Sequence, residues 1–491
     1  MARMDSIGRP RGSGTLAAGL ALALLAPGCG GDASPSPPSS ASTRGVILVC
    51  IDTLRGDRVG FGGHTRPTTP NLDTLADRSA VFEQAYSTYP KTPPAVASLF
   101  TGLQPTAHRM SVRPFRLSLD LLTAAEIFQQ AGWQTSAVMT NPHLSPGHGY
   151  EQGFDSYVYI SGAEPWSEPD LPPVEPRGPT IELRRAEGLS AYARGDSVND
   201  AARSWLAEHG ASPFFLYLHY MDVHYPYVAP EPWQDRFVTE PGEDRFKEGN
   251  TKPLPEGTIP DRDLAFMQAR YDGQIAWVDE LLSRLLRDLE ELGLRDEVLL
   301  VITSDHGEEF LEHAAFGHGH SVYRELTHVP LLIHGPGVVP GRHSRPVSLV
   351  DVLPTLGEWA GLSVGEVQGS SLARALRGDD PVRTPGDPVL AEFRGPCGTV
   401  PLAQPRVAVA TPDWYLVHHF ECGMDELFRW VEDPRLERDL TEDHPGIVRE
   451  LTEWASSRLS ESDRRASGIR IEPGDYDERT LERLRALGYM R

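Results

Sequence analysis

RGVILVCID, residues 44–52, carries an unbroken apolar run from Val46 to Ile51 and ends in an acid, Asp52. A run this short, rich in β-branched residues, reads as a strand buried on both faces. Ligand sites in open α/β sheets lie at the carboxyl ends of strands, so Asp52 is a candidate ligand. The pattern recurs along the chain. GWQTSAVMTN ends at Asn141, PFFLYLHYMDVHYPY ends near Asp222 and His224, EVLLVITSDHG presents Asp305 and His306, and VPLLIHGPG gives a further buried strand. Helical signals fall between them, with Thr69 as an N-cap before Pro70 and an amphipathic helix from Asp263 to about Leu294. The alternation predicts an α/β fold with a mostly parallel central sheet covered on both faces.

YPKTPPAVASLFTG, residues 89–102, predicts a short helix capped by Thr92 and ended at Thr101-Gly102. Proline is tolerated in a helix's first turn, and a helix start attracts anions through its free N–H groups. Pro93 and Pro94 lack an N–H, which leaves Ala95 and Val96 as donors. A metal and side chains must then hold most of an anion's charge. Read alone, Thr92 is an ordinary cap; beside the strand-end acids it is a candidate nucleophile.

The chain has 491 residues, about 40% of them hydrophobic, and a formal charge of −23 without a basic stripe. This excludes a nucleic-acid binder and requires local cations wherever an anion is handled.

Residues 1–29 read as a signal peptide. Arg3, Arg9 and Arg11 precede TLAAGLALALLAP, and Gly28-Cys29 follows. This resembles a bacterial lipoprotein signal with Cys29 lipidated, although Ala26 and Pro27 depart from the usual pattern. The expectation is an exported protein, held on the membrane by an N-terminal lipid anchor. Residues 30–43 read as a flexible linker, residues 44–385 as the catalytic domain, and residues 386–491 as a smaller C-terminal antiparallel subdomain with helices. Cys50 is a small core residue, and Cys397 and Cys422 are the candidates for a disulfide in an oxidising compartment. Segments 162–188 and 229–262 read as long loops at a substrate rim.

Asp52, Asp305, His306 and the Thr92 hydroxyl together make a one-metal site with room for a substrate oxygen. A divalent ion, Ca, Mn or Zn, would make the alcohol a better nucleophile and neutralise charge on an ester.

Several quoted stretches, in this order, resemble the sulfatase family of the alkaline phosphatase superfamily. They are IDTLRGDRVGFGG with RPTTPNLDTLA, ASLFTGLQP, LHYMDVHYPY, RYDGQIAWVDELLSRLL, TSDHGEEFLEH, GHGHSVYRELTHVPLLIHGPG, SLVDVLPTLGEWAGL and DELFRWVEDPRLERDL. The resemblance implies an alkaline-phosphatase-like α/β sandwich with a smaller antiparallel C-terminal sheet. It also implies a metal at Asp52, Thr92, Asp305 and His306, and a nucleophile at Thr92. His224 matches the family's substrate-binding histidine, and His318 the residue that protonates the leaving oxygen, with His320 as the alternative. Asn141 and Lys91 are further candidates for contact with the ester.

The chain departs from the family at the nucleophile. Thr92, Pro94 and Val96 stand where the formylglycine signature has Cys or Ser, Pro and Arg, and threonine cannot become that aldehyde. A threonine ester must be cleaved by water at phosphorus or sulfur, which tilts the reading toward phosphate or phosphonate esters over sulfate esters. The expected substrate is an anionic ester that is small or linked to a glycan or lipid. Two rival readings are a two-metal phosphodiesterase of the same superfamily and a surface lipoprotein that has lost catalysis.

Overall fold

A computed structural model describes residues 43–110, 115–161, 180–185, 195–244, 259–379, 387–394, 405–420, 423–470 and 472–473. The signal peptide with Cys29, nearly all of the linker, and the Cys397 and Cys422 pair lie outside these residues. Cys50 is a buried free thiol.

Nine strands form the central sheet: β1 (Gly45–Ile51), β2 (Ala80–Phe82), β3 (Gln134–Met139), β4 (Ser156–Ser161), β5 (Thr180–Arg185), β6 (Phe214–Tyr220), β7 (Val298–Thr303), β8 (Leu331–His334) and β9 (Gly341–His343). Their order is β9-β2-β8-β7-β1-β6-β3-β4-β5. β1 lies between β6 and β7, parallel to both, with Cys50 opposite His219 and Thr303. Only β8 runs against its neighbours, β2 and β7. β5 falls inside the stretch expected to be loop, and pairs in parallel with β4 from Thr180 to Arg185. Its TIELR does alternate polar and apolar side chains, but the run is short and sits in a Pro- and Glu-rich stretch, so a neighbouring strand was needed to define it.

Alternate residues of the central strands enter two cores. Ile47, Val49, Ile51, Leu216, Leu218, Leu300 and Ile302 face α1 (Pro70–Ala76), the helix Gly195–His209 and the long helix Asp261–Glu291. Val46, Leu48, Cys50, Phe215, Tyr217, Leu299 and Val301 face the helices Thr92–Thr101, Ala124–Gln130 and Val352–Ala360. Apolar cover on both faces is why these strands read as continuous apolar runs.

A second sheet of four antiparallel strands spans Val389–Phe393, Arg406–Ala410, Tyr415–His419 and Met424–Phe428. One face packs on Tyr86, Tyr89 and Val322, beside the Thr92 segment. The other packs on Val448, Leu451, Ala455 and Leu459 of the helix Pro445–Ala466.

Candidate active site

The parallel strands β1 and β7 stop side by side, which places Asp52 and Asp305 together in the interior, both fully buried. Thr53, directly after Asp52, is held at φ 59°. That left-handed conformation is rare for a β-branched residue and costs on the order of 1–3 kcal/mol. In this turn the Thr53 N–H donates to Asp305 Oδ1 at 3.2 Å, and the Tyr271 hydroxyl donates to the Thr53 carbonyl at 2.7 Å. The strain therefore fixes the spacing of the two acids.

The helix α2 (Thr92–Thr101) carries the third group. Its cap is Lys91, and Thr92 is the first helical residue rather than the cap. Ala95 also differs from expectation, because its N–H is already given to the Lys91 carbonyl at 3.2 Å. A helix beginning Thr-Pro-Pro thus has little to offer an anion through its backbone. The Thr92 hydroxyl is turned inward instead. Its Oγ1 lies 3.4 Å from Asp52 Oδ2, 3.4 Å from His306 Nε2 and 3.3 Å from Asn141 Nδ2.

The histidines follow in order of distance from this centre. His306 Nδ1 donates to the Gly307 carbonyl at 3.0 Å, which turns Nε2 toward the acids. The His318 ring sits 4.4 Å from His306, with its Nδ1 2.9 Å from Glu308 Oε1, and His224 packs edge-on against it at 5.0 Å. His224 Nδ1 is bonded to the Tyr225 carbonyl at 2.6 Å. His320 is held by Glu309 Oε2 at 2.6 Å, so His318 is the histidine that joins the ring cluster. The Lys91 side chain runs across Gly319, where a Cβ would lie 1.9 Å from Lys91 Cε. Gly319 also has φ +74°, so both the close approach and the turn call for glycine.

The sulfatase family profile matches residues 44–362. The chain belongs to the sulfatase family. This is a family of sulfuric and phosphoric ester hydrolases within the alkaline phosphatase superfamily. The chain is 26% identical over 445 residues to the choline-sulfatase of Rhizobium meliloti, covering 83% of this chain and 84% of that one. It is 25% identical over 513 residues to the multifunctional alkaline phosphatase superfamily protein PehA of Trinickia caryophylli, covering 88% and 98%. The phosphonate monoester hydrolase of Agrobacterium radiobacter shares the fold, with a TM-score of 0.66 at 22% identity over 85% of this chain and 96% of that one.

In this sulfatase-family chain the acid pair is electrostatically incomplete. Burial acts to raise Asp52, but the His219 hydrogen bond and the charges of His224 and His306 outweigh it and hold the carboxyl well below its usual range. Burial and the neighbouring Asp52 raise Asp305. Asp52 Oδ1 and Asp305 Oδ2 are buried oxygens without a hydrogen-bond partner among the described residues, and His306 Nε2 lies 3.8 and 3.5 Å from them. Leaving such oxygens unpartnered is costly, and a divalent cation would remove the cost. The residues fit a metal ion. Oxygen donors with an imidazole suit Mn or Zn as well as Ca.

His219, absent from the site residues expected from the sequence, belongs to this group. Asp52, His219 and Asp305 each offer a ligand atom within 4.8 Å of the others. His219 Nε2 is 3.2 Å from Asp52 Oδ2, and its Nδ1 is 2.9 Å from the Tyr217 hydroxyl. The available signal was a histidine near the end of an apolar strand. What was missing was the knowledge that this strand lies directly beside β1.

Proposed function

We propose that this chain hydrolyses anionic esters through a covalent Thr92 intermediate, with phosphate or phosphonate esters preferred over sulfate esters. The observation that carries this reading is the Thr92 hydroxyl, turned to within 3.4 Å of both Asp52 Oδ2 and His306 Nε2 beside two unpartnered carboxylate oxygens. The names of the phosphonate monoester hydrolase and of the multifunctional superfamily protein support the phosphorus side, and that of the choline-sulfatase the sulfur side.

Asp52, Thr92, Asp305 and His306 would hold one divalent ion, with His219 steadying Asp52 from behind. When bound, such an ion supplies positive charge against the ester oxygens and lowers the pKa of the alcohol. Asp305, whose carboxyl burial and the neighbouring Asp52 hold above its usual range, takes the Thr92 proton, and Oγ1 attacks phosphorus or sulfur as the bond to the leaving oxygen breaks. His318 gives that oxygen a proton from Nε2 while its Nδ1 takes one from Glu308, whose carboxyl burial raises to about 7. Lys91 and His224 hold the non-bridging oxygens, and Asn141 keeps Asp52 and Thr92 in place beside them. Water then attacks the same phosphorus or sulfur atom, the bond to Oγ1 breaks, and the Thr92 hydroxyl is restored. Buried inward-facing donors supply the electrostatic stabilisation that a helix starting with two prolines lacks.

We also read the chain as exported and anchored through lipid on Cys29, which would place the site where glycan- or lipid-linked esters are met. The test of the reaction is a panel of p-nitrophenyl sulfate, phosphate, bis-phosphate and phenylphosphonate esters, each with Ca, Mn or Zn. Turnover of the phosphorus esters above the sulfate is expected. Turnover of sulfate alone overturns the preference, and no turnover with any metal overturns the reaction.

A further inference from the structure

A second cavity, of about 670 Å³, is lined by none of the residues of the ester site. Its walls come from the turn after β1 with Arg55, Asp57 and Arg58, the 310–312 segment with Glu312, the short helix Arg324–Thr327, and Pro434 to Glu437. Most of its charges are already matched. Arg55 pairs with Asp57 at 2.8 Å and with Glu312 at 2.7 Å. Arg66 and Arg58 share the buried Asp272 at 2.7 and 3.5 Å, and Glu325 is bound to His313 at 2.7 Å.

Arg324 is the exception. It is only 9% exposed, yet its guanidinium bonds two neutral groups, Gln84 Oε1 at 2.7 Å and the Tyr86 hydroxyl at 3.4 Å. Among the described residues it has no carboxylate partner and no hydrogen bond from its Nη1. The Trp430 ring, 4.8 Å away, fixes the guanidinium plane. A buried guanidinium without an anion is costly, and its planar fork matches an oxyanion. Asp57, Glu312 and Glu437 meanwhile line the same space with acceptors that suit hydroxyl groups.

The geometry points to a binding site for a small hydroxylated anion, such as an acidic or phosphorylated monosaccharide, with its charged group on Arg324 Nη1. The volume fits one such ligand. This site does not depend on the ester chemistry. It is linked to the ester site through Arg55, whose Nη1 donates to the Glu308 carbonyl at 2.9 Å, and through the Leu326 carbonyl, which accepts from the Gly307 N–H at 2.9 Å.

Calorimetric titration with glucuronate, glucose 6-phosphate and inorganic phosphate tests it, using the wild-type chain, Arg324→Gln, Arg324→Lys and Thr92→Ala. At least one sugar probe should bind at one per chain. Arg324→Gln should weaken it by about tenfold or more and Arg324→Lys by less, because a charge-assisted forked contact is lost fully or in part. Thr92→Ala should leave glucuronate binding unchanged. A wild-type crystal soaked with glucose 6-phosphate, which needs no variant to fold, should show the anion against Arg324 Nη1. Glucuronate binding that survives Arg324→Gln, glucuronate binding lost with Thr92→Ala, or no binding of either sugar at millimolar concentration overturns the inference.

Discussion

Asn141 Nδ2 donates to Asp52 Oδ2 at 2.6 Å, although their strands β3 and β1 are separated by β6. The same amide lies 3.3 Å from Thr92 Oγ1, and its carbonyl is fixed by the His143 N–H at 2.8 Å. Asn141 therefore holds acid and alcohol in one geometry. Asn141→Ala should lower kcat/KM by about 10- to 100-fold, the usual effect of losing a group that orients a metal-site ligand. A steady-state comparison checks this, and an unchanged value would remove Asn141 from the site.

Thr92→Ala should lose several orders of magnitude in kcat while keeping its melting temperature, since no positioned nucleophile remains. Thr92→Ser keeps the hydroxyl and should retain much of the activity. Acid-quenched wild-type enzyme should carry phosphate or sulfate on the peptide containing Thr92, and mass spectrometry would tell which. Near-full turnover by Thr92→Ala would leave the residue as nothing more than the start of a helix.

His306 and His219 separate by metal affinity. A direct ligand should cost more to remove than a residue that only orients one, for which about 10- to 100-fold is usual. Competition with a chelator on His306→Ala and His219→Ala should rank His306 as the larger loss. The reverse ranking would make His219 the ligand and His306 its support.

His313 gives a pH-dependent term in stability. Its Nδ1 faces Glu325 Oε1 at 2.7 Å and its Nε2 the Leu436 carbonyl at 3.3 Å, two acceptors that only the doubly protonated ring can satisfy. Burial acts to lower its pKa, but the Glu325 bond and charge outweigh it and raise it to about 9. Glu325 itself is raised by burial, against the pull of His313, so the gain is assigned to the imidazolium and its two bonds. A folded value above the unfolded one stabilises fully below about pH 6.5, and the contribution is lost as pH rises through 9. His313→Gln should cost roughly 1–3 kcal/mol near pH 6 and much less at pH 10, measured by urea unfolding. An equal loss at both values would mean that stacking on Tyr323, 3.7 Å away, carries the effect.

Cys29→Ala should move the protein from the membrane fraction to the soluble exported fraction and abolish palmitate labelling. Unchanged fractionation would assign the attachment to another part of the chain.

The residues alone determined the layered α/β architecture, because strands buried on both faces must be apolar along their length, and Val46–Ile51 and Val298–Ile302 are. They also placed Asp52, Asp305 and His306 at strand ends, since an acid directly after a buried strand has few other places to be. Tertiary structure decided what lies beside what. His219 joins the acids only because β6 pairs with β1 in the register Cys50 to His219. Thr180–Arg185 becomes a strand only beside β4, and Glu325, next to Arg324 in the chain, is bound to His313 from a separate loop. Local periodicity records which side of a strand or helix is buried; it does not record strand order, and strand order is what brings distant side chains within a few ångströms.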